Sequence, residues 1–104
     1  MKVVWTENAE WHRDQIGDYI FERYGYQRME TFIEQVDQTV NMIIRNPNIG
    51  SIDSLFSDRP YVYRSVIING LSKLVYRIDD DIIHIVAFWD TRQEPEAQAE
   101  QVKK

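Results

Sequence analysis

Asn69-Gly70 stands between two β-rich runs, Tyr61 to Ile68 and Leu71 to Ile78. A type I′ turn needs positive φ at both central residues, and Asn followed by Gly meets that need at low steric cost. The dipeptide therefore predicts an antiparallel hairpin with Ile68 opposite Leu71. A third run, Ile82 to Trp89, follows Asp79-Asp80-Asp81, so the second half of the chain reads as a three-stranded meander.

The first half has a different period. Val3-Val4-Trp5 is a short apolar run that predicts a first strand, and Thr6 then offers an N-cap hydroxyl with Glu7 and Glu10 in the first turn of a helix. That helix runs through Ile16, Ile20 and Phe21 to about Tyr24, where Gly25 suits a C-cap. Met29, Phe32, Ile33, Val36, Val40, Ile43 and Ile44 recur at intervals that line one face of a second helix, which Asn46-Pro47 should end. Residues 48–60 read as a loop pinned by Ile52, Leu55 and Phe56. The expected class is α+β: an N-terminal strand and a helical hairpin packed on an antiparallel β-meander. Residues 1–93 are expected to form a single domain, and 94–104 a polar C-terminal tail.

Composition supports one packed domain. Of the 104 residues 43% are hydrophobic and 12% aromatic, enough to reward collapse. There is no cysteine, which excludes disulfides and thiolate metal sites. Met1 to Glu7 meets an acidic residue too soon for the apolar core of a signal peptide, and no segment approaches the roughly 18 apolar residues that span a bilayer. A cytoplasmic protein without membrane contact is the expectation. His12 lacks ligand spacing and no glycine motif cradles phosphate, so neither metal nor cofactor is expected. The net charge of -5 argues against broad binding to a phosphate backbone. Arg59, Arg64, Lys73, Arg77 and Arg92 nevertheless gather in the second half, where a local positive field can form.

Strand alternation sorts these residues. A two-residue turn at Asn69-Gly70 sets Arg64 opposite Val75 and sends Arg64, Lys73 and Arg77 to one face. The second turn follows from the core instead: Leu74, Tyr76 and Ile78 want apolar neighbours, and a two-residue turn gives them Ile83, Ile85, Ala87 and Trp89 beneath the helices. A three-residue turn would exchange His84 for Ile83. His84, Phe88, Asp90 and Arg92 would emerge on the open face with the cations. A solvated sheet face is the alternative reading of the same cluster.

The strands "SKLVYRI", Ser72 to Ile78, and "IIHIVAFWDTRQEP", Ile82 to Pro95, following a strand and two helices, resemble the RelE/ParE toxins of bacterial type II toxin-antitoxin systems. The resemblance covers nearly the whole chain. It implies a small toxin neutralised by a cognate antitoxin. The RelE-like branch cleaves mRNA on the ribosome, whereas the ParE-like branch acts on DNA gyrase. Lys73 matches the basic residue ahead of "LVY", Arg64 a basic position on the preceding strand, and Arg92 the basic residue after the last strand. Metal-free RNA cleavage needs charge stabilisation at phosphate, which Arg64, Lys73 and Arg92 would supply, and proton transfer, for which His84 is the candidate. Arg77, Phe88 and Asp90 are the candidates for substrate or antitoxin contact. The chain differs from the ribonuclease members in its acidic balance and in having no tyrosine after Tyr76. Three readings stand: an mRNA-cleaving toxin, a non-enzymatic toxin acting on gyrase, and an inactive antitoxin-binding module.

Overall fold

Thr6 joins the first strand to the first helix. Its backbone N–H donates to the Ile85 carbonyl at 3.0 Å, and its hydroxyl accepts from the Ala9 N–H at 3.1 Å as the N-cap. In the computed structural model, which describes residues 1–91 and Val102, the strand is β1 (Lys2–Trp5) and the helix α1 (Glu7–Tyr24). Gly25, at φ +95°, reverses the chain into α2 (Tyr26–Arg45), a conformation that favours glycine. The periodic residues Phe32, Val36 and Ile43 of α2 are buried. Four more strands follow: β2 (Ser51–Ile52), β3 (Arg64–Ile68), β4 (Ser72–Asp79) and β5 (Ile82–Asp90).

The strands form one sheet in the order β1-β5-β4-β3-β2. β1 runs parallel to β5, and the remaining pairs are antiparallel. Ala9, Phe32, Val36 and Ile43 meet Ile68, Leu74, Tyr76, Ile83, Ile85 and Phe88 in the core between helices and sheet. This is the expected α+β class. The sheet is larger than the expected meander, because β1 adds a parallel edge and β2 a short one from the segment read as loop.

Both hairpins depart from simple alternation. Asn69 (φ +56°) and Gly70 (φ +72°) turn the chain, and the Leu71 N–H reaches the Ile68 carbonyl at 3.1 Å. Pairing, however, resumes at Ile68 opposite Ser72, so Leu71 is looped out and its carbonyl accepts from the Thr91 N–H at 3.0 Å. Arg64 consequently lies opposite Tyr76, not Val75. The second turn has the expected two residues, with Asp79 opposite Ile82. Within β5, Val75 pairs with Ala87 and Tyr76 with Ile85, leaving Val86 as the extra residue of a bulge. Beyond it the alternation inverts: Phe88 joins the helix-side core, while Ala87 and Trp89 join the other face.

That other face carries a second core of Phe56, Tyr63, Val75, Val86, Ala87, Trp89 and Val102, flanked by Leu55 and Tyr61. Residues 53–63, beginning with a 3₁₀ turn at Ser54–Phe56, lay these apolar side chains across the sheet. The face expected to be open is thus covered over much of its centre.

Candidate functional site

Arg64, Lys73 and Arg77 each have a particular partner. Arg64 shares its face with Tyr76, opposite to Lys73 and Arg77, because the extra residue at Leu71 reverses its side. Its Nη1 donates to the carbonyl of Gly50 at 2.8 Å and of Asn48 at 3.3 Å, tying down the segment after α2. Tyr76 ties the same segment: its hydroxyl donates to the Pro47 carbonyl at 2.6 Å and accepts from the Gly50 N–H at 3.0 Å.

Lys73 Nζ lies 2.6 Å from Asp53 Oδ2, and only 17% and 8% of the two side chains are exposed. Asp53 Oδ1 also accepts from the Leu55 N–H at 3.1 Å, capping the 3₁₀ turn. The ammonium sits 5.3 Å from the centre of a Trp89 ring. Arg77 stacks its guanidinium 4.0 Å above the Tyr61 ring and reaches Asp79 at 3.4 Å. Arg59 contacts the Phe56 ring and donates to the Val102 carbonyl. Lys73, Arg77 and Arg59 therefore hold residues 53–63 on the sheet.

His84 keeps its expected side, opposite Arg77 in register. Phe88 and Asp90 do not, for the bulge at Val86 turns both toward the helices. Phe88 is fully buried against Trp5 and Phe32, at ring separations of 6.1 and 6.0 Å. Asp90 lines a groove with Tyr19, Ile16 and Ser72. Arg92 lies outside the described residues. Among the described residues, no three His, Asp or Glu side chains converge as a metal site requires, and no helix is long and apolar enough to cross a membrane.

Burial pushes the Tyr76 and Tyr63 phenols above their ordinary pKa of 10.0. For Tyr76 the Gly50 N–H and Arg64 oppose the shift; for Tyr63 the main opposition comes from Arg77 and Arg59. A raised folded-state pKa means that the folded chain holds protons the unfolded chain releases. Stability is then unaffected below about pH 10 and falls as pH rises beyond it. Tyr76→Phe is expected to cost about 2 kcal/mol at neutral pH, because the buried Gly50 N–H loses its acceptor. It should also make the alkaline decline shallower. Urea titrations at neutral pH and above pH 10 measure both effects.

A family model describing the ParE toxin of the type II toxin-antitoxin system parDE matches residues 3–95. The chain belongs to the ParE toxin family. No curated protein matches its sequence. Among solved structures, a chain of the chromosomal ParDE TA system from P. aeruginosa is similar in fold, with a TM-score of 0.69 and 19% identity over 86% of this chain and 95% of that one. The ParE assignment and the fold thus agree with the resemblance carried by the strands of the second half. Arg59 belongs to the cations that gather in the second half of the sequence, whereas Asp53 carries no sequence signal as their partner. Asp53-Ser-Leu does carry a cap signal, but nothing local to it indicates that Lys73 is the distant partner.

Proposed function

We propose that this ParE-family chain inhibits growth in the cytoplasm by binding DNA gyrase, without catalysis, and is neutralised by its cognate antitoxin. One observation carries the proposal: among the described residues, the candidate cations Arg64, Lys73 and Arg77 do not converge. Arg64 lies on the opposite face from Lys73 and Arg77, and Lys73 is neutralised by Asp53 at 2.6 Å. A phosphoryl-transfer site needs cations aimed together at one phosphate, with an acid and a base in reach. The acidic balance, with a net charge of -5, also favours a protein target over mRNA on the ribosome.

Binding surface is available. Tyr19, Tyr24 and Leu71 are each more than half exposed around a groove floored by Ile16, Ile20, Phe32 and Ile68. Apolar rims of this kind suit protein partners such as an antitoxin.

Titrating purified protein into a gyrase supercoiling reaction tests the mechanism. Inhibition saturating near stoichiometric toxin, with intact transcripts after induced expression in cells, is the expected result. Early transcript cleavage with uninhibited supercoiling would overturn it in favour of the endoribonuclease reading.

A further inference from the structure

The two helices meet closely where Gly17 faces Phe32; a Cβ placed at Gly17 would lie 3.8 Å from the ring. Around this contact lies a cleft of about 430 Å³ whose lining, among the described residues, comes from α1 and α2. Met29, Phe32 and Val36 supply its apolar lining, and Ile33 stands at its lip with 47% of its surface exposed. Its carboxylates come from both helices, Asp14 and Asp18 from α1 and Asp37 from α2. Arg13 holds Asp14 at 3.0 Å, but Asp18 and Asp37 make no ion pair among the described residues.

We propose that this cleft docks a basic amphipathic helical segment of a protein partner. An apolar side chain of the segment packs against Ile33 and Met29, while flanking Lys or Arg groups pair with Asp18 and Asp37. Charge complementarity selects this occupant. Nucleic acid and acidic peptides would bring phosphate or carboxylate against uncompensated carboxylates. A second copy joined through the same cleft by twofold symmetry would place acid against acid. Helix-in-groove docking uses an apolar stripe flanked by charge, and the cleft presents its complement. The surface is separate from the cations on Lys73 and Arg77 and does not depend on whether gyrase is the toxin's target.

The probe is a synthetic Leu/Lys amphipathic helix about four turns long, with its Leu/Glu counterpart as control, titrated into the full chain by calorimetry. The Lys peptide is expected to bind and the Glu peptide to fail. Asp18→Asn/Asp37→Asn should weaken binding at least about tenfold, whereas Glu7→Gln/Glu10→Gln, with the same change in net charge, should weaken it less than about twofold. Amide chemical-shift changes should centre on Gly17 and Ile33. Absence of binding by the Lys peptide, equal weakening by the two double variants, or shifts centred elsewhere would each overturn the proposal.

Discussion

Lys73→Ala is expected to destabilise the fold by about 3 kcal/mol, because it leaves Asp53, whose side chain is 8% exposed, as a charge without its counterion. Lys73→Met/Asp53→Asn should return stability to within about 1 kcal/mol of the parent. The methionine covers Trp89, the amide carries no charge, and the Asn side-chain oxygen can still accept from the Leu55 N–H. Urea denaturation of the three proteins measures the difference. The comparison separates two roles that an alanine variant alone confuses, since loss of toxicity in Lys73→Ala follows equally from unfolding and from a missing functional cation.

Phe88→Ala is expected to cost about 3–5 kcal/mol, the range for removing a fully buried aromatic ring from a packed core. The ring contacts Trp5 from β1 and Phe32 from α2, so its loss loosens a junction between sheet edge and helices. Since small domains have total stabilities of about 5–15 kcal/mol, the variant should express poorly and melt early. A thermal melt within a few degrees of the parent would show that Phe88 lies on an exposed face.

Phe88 also shows where legibility in the sequence ended. The helices, the N-cap at Thr6, the reversal at Gly25 and the turn at Asn69-Gly70 were all readable, because each depends on a few neighbouring residues. The α+β arrangement followed from the change in period. Facing was not readable, since it depends on register, and register depends on single extra residues. Leu71 looped out of the first hairpin moved Arg64 to the helix side, and Val86 bulged in β5 moved Phe88 and Asp90 there too. Neither residue carries a local mark: leucine and valine are ordinary strand residues, and tertiary packing selects the positions where they leave the ladder. Alternation remained correct up to each irregularity, which is why Lys73, Arg77 and His84 kept their side.

The segment over 53–63 was similarly half-legible. Leu55 and Phe56 marked it as pinned to a core, but the covered surface proved to be the sheet face away from the helices. Apolar side chains from both sides of β4 and β5 thereby gain cover, and the cations at the margin of that second core hold the covering segment. A sheet buried on both faces explains why so many strand residues lack strict polar alternation.

Induced expression of Lys73→Met/Asp53→Asn is the most direct measurement of whether these cations act in structure or in chemistry. Growth should be inhibited as strongly as by the parent at equal soluble level, with supercoiling lost and transcripts intact. A double variant that folds with parental stability yet fails to inhibit growth would contradict the structural role given to Lys73.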